Sequence, residues 1–121
     1  MDVLKVGIDL VEINRFERVI NRRPGVTERL FTNNELEYAG ARPRSAAHLA
    51  ARFAGKEAVI KTLDLGLWSF REIEIVSTDG RPSVKLSGFA AECAAELGVR
   101  VELSLTHSYS VAGAVAVAFT L

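Results

Sequence analysis

The chain has 121 residues, 49% of them apolar, and its 15 basic side chains balance 15 acidic ones to a formal net charge of zero. That length predicts one domain over residues 1–121 with enough apolar material for a core. Neutrality excludes a global pull toward nucleic acid or anionic membranes, so any anion site must be local. The single Cys93 sets no disulfide framework and reads as a buried core thiol of a reducing compartment. No apolar run approaches the ~20 residues of a membrane span, and Met1-Asp2-Val3 opens straight into a strand-like run, so a cytoplasmic protein without a signal peptide is expected.

In chain order, Val3–Val11 alternates imperfectly and reads as a strand. It passes into a helix over Ile13–Arg22, stopped by Pro24-Gly25. Thr32 is placed to cap a short helix, with Glu35 three residues on as its capping-box partner. Gly40–Arg44, with Pro43, is a loop. Ser45 is expected to cap a long central helix that runs to about Leu63. Arg71–Ser77 predicts a strand, Thr78–Pro82 a hairpin turn and Ser83–Leu86 the return strand. Gly88–Leu97 predicts a helix ended by Gly98. Val101–Thr106 and Val111–Thr120 are the last two strands. The final run has no polar face, so both of its sides must be covered by helices or by another subunit. Strands and helices that do not strictly alternate give an α+β fold: a small antiparallel or mixed sheet packed with the long central helix.

The central helix carries the most information. At about 100° per residue, Leu49, Phe53, Ile60 and Leu63 fall on one face. Lys56 lands in the middle of it, Arg52 flanks one edge, and Glu57 and Lys61 lie together toward the other. A solvated helix turns its charges away from its apolar stripe. Charges bordering the stripe suit a site for a metal and a polyphosphate. Glu57 and Lys61 also have the spacing of an ordinary i,i+4 ion pair. Asp9 offers a second carboxylate within Gly7-Ile8-Asp9-Leu10-Val11-Glu12-Ile13, where burial of a charge is costly unless it is paired or metal-bound; a carboxylate favouring the dipole of the following helix is the alternative. Two carboxylates cannot fill an all-protein cage for a hard divalent cation. They match Mg²⁺ sites completed by water and substrate phosphates.

Arg15, Arg18 and Arg22 recur at i, i+3 and i+7 opposite Ile13, Phe16 and Ile20, with Arg23 at the edge. Such a stripe is either a solvated face or a docking surface that steers an acidic partner. Arg42 and Arg44 stand just before the central helix, within reach of a phosphate. The chain lacks the Walker and dinucleotide glycine loops and any Cys/His cluster with zinc spacing. His48 and His107 belong to no nucleophile triad, and His48 reads as a surface or loop-facing residue.

Three segments together resemble the holo-acyl-carrier-protein synthases. They are Val6-Gly7-Ile8-Asp9-Leu10-Val11-Glu12-Ile13 with Arg15, Arg52-Phe53-Ala54-Gly55-Lys56-Glu57-Ala58 with Lys61, and Ser104-Leu105-Thr106-His107-Ser108. Phe31–Leu36 and Gly80-Arg81-Pro82 match further segments typical of that family, while Gly55 stands where alanine is more usual. The resemblance covers nearly the whole chain. It implies a 4′-phosphopantetheinyl transferase that moves the phosphopantetheine arm of coenzyme A onto a serine of an apo acyl carrier protein and releases adenosine 3′,5′-bisphosphate. It implies that Asp9 and Glu57 hold Mg²⁺ and that Lys61 neutralises the pyrophosphate. Arg52 and Lys56 become further phosphate contacts, with Lys56 alternatively pairing with a carboxylate across the core. His107 and Ser108 fall near the 3′-phosphate, and Gly80-Arg81-Pro82 at the adenine end. Glu57 or a metal-bound water becomes the general base. Arg15, Arg18 and Arg22 become the dock for the acidic carrier, and the protein a homotrimer with active sites between subunits. The carrier serves fatty-acid or polyketide synthesis. The alternatives are a non-catalytic coenzyme A-binding trimer, or a structural trimer whose charged helix only makes ion pairs.

Overall fold

The computed structural model describes every residue except Pro24 and Asp79, and the side chains of all others except Leu67, Trp68 and Ser69. The turn roles expected of Pro24 and Asp79 therefore lie outside the described residues. The elements run β1 (Val3–Glu12), α1 (Ile13–Arg22), α2 (Val26–Leu30), α3 (Asn33–Gly40), α4 (Ser45–Leu63), a 3₁₀ turn (Leu67–Glu72), β2 (Ile73–Thr78), β3 (Arg81–Leu86), α5 (Gly88–Leu97), β4 (Val99–His107) and β5 (Val111–Thr120). The α+β class holds, but the strands form two sheets, and every pairing is antiparallel. One sheet has the order β1-β5-β4; β2 and β3 form a separate hairpin.

β5 is the middle strand, and its two faces differ. Ala112, Ala114, Ala116 and Ala118 are buried on the side where α4 crosses the sheet. Small residues there let a helix backbone approach the strands closely. Gly7 on β1 is required by the same approach: a Cβ at this position would collide with the Ala58 carbonyl oxygen and the Thr62 hydroxyl of α4. The other face presents Val6, Ile8 and Leu10 of β1, which are 59%, 64% and 71% exposed, beside Val115 and Val117 of β5. None of the described residues covers that face.

The expectation of one narrow apolar stripe on α4 is corrected. The helix is buried on most sides, with Ala47, Leu49, Ala50, Ala51, Ala54, Ala58, Val59, Ile60 and Leu63 all in the core. It threads between the large sheet, the β2–β3 hairpin, α1 and α3. Phe53, Glu57 and Lys61 remain outside that enclosure and share one face at i, i+4 and i+8. Ser45 does not cap the helix by its side chain. Arg44 takes the N-cap position in a left-handed conformation, φ +56°, which an L-residue adopts at a cost of roughly 1–2 kcal/mol.

Thr32 and Glu35 do form the capping box of α3. Cys93 is only half-buried, at the margin of the core rather than inside it. No helix among the described residues is long and apolar enough to cross a membrane.

Candidate active site

A cleft of about 520 Å³ opens between the end of β1, α1 and α4. It is lined by Asp9, Glu12 and Arg15, by the apolar Phe16, Val19, Ile20 and Leu30, and by Phe53, Glu57 and Lys61. Gly7 sets the geometry: by letting β1 lie against α4, it brings Asp9, two residues on and on the same strand face, to the open seam of the helix. Lys61 Nζ donates to Asp9 Oδ1 at 3.1 Å and to the Ile8 carbonyl at 3.0 Å. An ammonium has three protons, so one remains for a ligand.

The i,i+4 pair between Glu57 and Lys61 does not form; Lys61 turns to Asp9 instead. Glu57 has no ion pair with any described residue. Burial holds its carboxyl above the usual range, the Asp9 carboxylate adds to the effect, and Lys61 partly offsets it. Two carboxylates facing one cleft with a single lysine leave a net negative, oxygen-rich donor set, which fits a hard divalent cation. Among the described residues no group of three or more potential metal-ligating side chains exists, so a cation held by Asp9 and Glu57 would complete its coordination with water or substrate oxygens.

Lys56 is corrected from phosphate contact to core residue. Its side chain is fully buried, 2.7 Å from Glu35 Oε1, and it also donates to the Phe70 and Ile73 carbonyls at 2.7 and 2.6 Å. All three protons are used, so the pairing across the core is the alternative that obtains. Burial pushes the ammonium toward its neutral form and Glu35 holds it charged. Glu35 in turn accepts from the backbone of Thr32 and Ile75. Sequence reasoning gave Glu35 only its capping role; its burial beneath α4 was signalled by the one lysine on an apolar face that needed a carboxylate.

Arg52 is likewise enclosed, 3% exposed, and does not face the cleft. It donates to Ser77 Oγ at 2.9 Å and lies 3.8 Å from the Tyr38 ring centroid, with its Nε buried and without a hydrogen-bond partner. Arg42 also stacks on Tyr38. Arg44 donates to the Tyr109 carbonyl at 2.6 Å. His107 is here too, 5.7 Å from the ring of His48. His48 is therefore not loop-facing but packed between α3 and β4. Ser108 stands in the turn before β5, exposed, and its Oγ accepts from the Val111 backbone.

Gly80, Arg81 and Pro82 stand at the hairpin tip, Gly80 with φ +79°. Arg81 and Pro82 line a different hollow, with Thr78, Val84, Arg100 and Glu102. Within one chain the expected site residues thus fall into three places: the cleft, the arginine–histidine cluster and the hairpin. Arg15, Arg18 and Arg22 are exposed along α1. None pairs with a described carboxylate, and only Arg15 reaches the cleft.

A fold of this kind, with its one carboxylate-and-lysine cleft against the central helix, is a known class. Residues 5–116 match the model of the 4′-phosphopantetheinyl transferase superfamily. The holo-[acyl-carrier-protein] synthase of Moorella thermoacetica is 48% identical over 118 residues, 94% of this chain and 92% of that protein. The acyl carrier protein synthase structure from Mycobacterium tuberculosis superposes with a TM-score of 0.81 at 38% identity, covering 98% of this chain and 99% of that one. That of the Bacillus anthracis holo-(acyl-carrier-protein) synthase, a complex with CoA (3′,5′-ADP), superposes at 0.82 with 31% identity and full coverage of both chains. The chain belongs to the holo-[acyl-carrier-protein] synthases, a family of transferases.

Proposed function

We propose that this protein transfers the 4′-phosphopantetheine arm of coenzyme A to a serine of an apo acyl carrier protein, in a Mg²⁺-dependent reaction that releases adenosine 3′,5′-bisphosphate. The observation that carries the reading is the convergence of Asp9, Glu57 and Lys61 on one cleft, with a lysine proton to spare. In the proposed reaction the serine Oγ forms a bond to the β-phosphorus, and the bond from that phosphorus to the bridging oxygen breaks. The electron pair leaves on the bisphosphate, and the serine proton passes to a base. Asp9 and Glu57 would hold the divalent cation. Bound there, it withdraws charge from the pyrophosphate oxygens. Lys61 directs its third N–H toward the same oxygens, fixed in place by its bonds to Ile8 and Asp9. Its contribution is electrostatic and greatest where charge develops on the leaving group. The apolar wall of Phe16, Val19, Ile20 and Phe53 suits the uncharged pantetheine chain and excludes water from the reacting centre.

Arg15 borders this cleft, and Arg18 and Arg22 continue its exposed stripe along α1, none of them paired with a described carboxylate. They fit the docking of an acidic carrier, whose serine then enters beside Arg15. A homotrimer accounts for two further facts. It supplies a cover for the apolar outer face of Val6, Ile8 and Leu10. It also lets the Gly80–Pro82 hairpin of one subunit border the cleft of the next, which one chain alone does not achieve. A cytoplasmic reaction is consistent with both proposed substrates.

Incubation of the protein with coenzyme A, Mg²⁺ and an apo carrier tests the reading. The carrier should gain the mass of one phosphopantetheine arm, and the gain should vanish with a chelator. Coenzyme A binding without mass gain on any apo carrier would establish the non-catalytic binder instead.

A further inference from the structure

The arginine–histidine cluster at the α3–α4–β4 junction holds a residue that neither the carboxylates nor the docking stripe explain. His48, on the first half of α4, meets Tyr38 of α3 at 5.8 Å and His107 of β4 at 5.7 Å, both edge to face. Neither imidazole is hydrogen-bonded to a described residue. The charged groups that act on His48 are His107, Arg52, Arg42 and Arg44, all cationic or able to become so. None of the ion pairs among the described residues involves any of these groups. Three arginines and two histidines gather here, and Glu35, the carboxylate that acts on Arg52, is already paired with Lys56, so the cluster keeps an excess of positive charge that an anion would complete. Arg52 adds a built element: a 3% exposed guanidinium that keeps a buried, unpartnered Nε.

We propose that His48 is a further binding residue for a terminal phosphomonoester of the nucleotide substrate, and that it takes up a proton when that phosphate docks. The inference rests on coenzyme A being the substrate and deepens that reading. Without ligand, burial and the surrounding cations favour the neutral imidazole. A phosphate dianion set among the same cations reverses the local field and favours the imidazolium, which then donates a charge-assisted hydrogen bond. His48 therefore distinguishes ligands with the phosphomonoester from those without it, and does so by a proton and not by shape alone.

Calorimetric titration at pH 7.5, in two buffers of different ionisation enthalpy, counts the protons. The ligands are coenzyme A and 3′-dephospho-coenzyme A. Wild-type protein should take up a measurable fraction of a proton with coenzyme A and close to none with the dephospho form. H48Q should lose that uptake and weaken coenzyme A by about tenfold, as expected for one charge-assisted bond, while leaving dephospho-coenzyme A affinity unchanged. Equal uptake with both ligands, or none with either, overturns the inference while leaving the substrate assignment standing. Loss of uptake in H107Q but not in H48Q puts the proton on His107 and overturns the assignment to His48. The wild-type comparison needs no variant, so it stands even if H48Q folds poorly. Failure of both nucleotides to bind removes the substrate assignment and the inference together.

Discussion

Lys56 and Lys61 lie little more than one helical turn apart on α4, and each sits beside a carboxylate. Lys56 is fully enclosed with Glu35. The Lys61 side chain is 53% exposed beside Asp9. The difference is one of saturation. Lys56 spends its three protons on Glu35 and two carbonyls, so it ties α4 to α3 and to the start of β2 and can offer nothing to a substrate. Lys61 spends two and stands at the mouth of a cleft. One motif thus holds a lysine whose donors are all filled and a lysine with one left over, and only the second is free to meet a substrate.

The largest expected effect breaks the buried member of the comparison. K56M leaves the Glu35 carboxylate enclosed without its partner, and should cost about 3–5 kcal/mol in a denaturant titration. The double variant E35Q/K56M should recover part of that loss, because a neutral amide keeps an acceptor for the Thr32 and Ile75 N–H groups without enclosing an unpaired charge. A single variant as stable as wild type would mean that Glu35 and Lys56 are not coupled in solution. Next in size is the exposed member. K61A should lower kcat/KM for holo-carrier formation by about 10²–10³-fold, the range for losing one preorganised electrostatic group. Its stability should fall by about 1 kcal/mol, well short of K56M, because the Lys61 side chain is 53% exposed even though that of Asp9 is only 17% exposed. If K61A unfolded as readily as K56M, the division between the two lysines would be wrong.

The sequence separated these lysines only in part. Lys56 on an apolar helix face was legible as an anomaly, but its partner was not, because Glu35 already had a complete local explanation in its capping box. Long-range pairing of a residue that is locally satisfied leaves no periodic trace. The element boundaries of α1 and α5 were read correctly from their apolar spacing and from Gly98. The amphipathic reading of α4 failed because alanines score as weak stripe residues yet are what a tightly packed central helix needs. Asp9 was recognisable as a charge in need of a partner, with a helix-dipole carboxylate as the alternative, and it is half-buried. What could not be read was that Gly7 brings it to Lys61, since a glycine in a strand does not say which backbone approaches it. The separation of Arg81, and of the cluster that holds Arg52 and His107, from the cleft was equally illegible, because motif order carries no information about which segments meet in space.

A third prediction sharpens the contrast between filled and free cations on α1. Arg15 and Arg22 make no ion pair with a described residue, so each keeps its charge for a partner. R15E or R22E should raise the KM for the apo carrier by about tenfold or more while leaving the KM for coenzyme A within about twofold, because rim charges act mainly on encounter with a macromolecule. Equal effects on both substrates would remove the docking role. R18E provides a third point on the same exposed stripe, between Arg15 and Arg22 along α1.

The smallest effect concerns Glu57, which pairs with no described residue. Glu57 is held above the ordinary glutamate value of 4.5, first by burial and then by Asp9. A raised value in the folded state means that folding retains the proton. The stabilisation from that proton is full below the unfolded value and is lost as pH rises through the folded one. At neutral pH the ionised Glu57 therefore works against the folded state. E57Q should melt at a higher temperature than wild type at pH 7 without divalent cation, and the gap should close as pH falls below about 4.5. Added Mg²⁺ should raise the wild-type melting temperature and leave E57Q nearly unmoved, since the neutral amide offers a far weaker ligand. The variant is expected to be inactive throughout. A residue that makes the empty protein less stable and the loaded one more so belongs to the site and not to the scaffold, which is the distinction Lys61 and Lys56 draw on the other charge. If E57Q instead melted lower at pH 7, Glu57 would have a stabilising partner in solution, and its place on the open side of α4 would need another explanation.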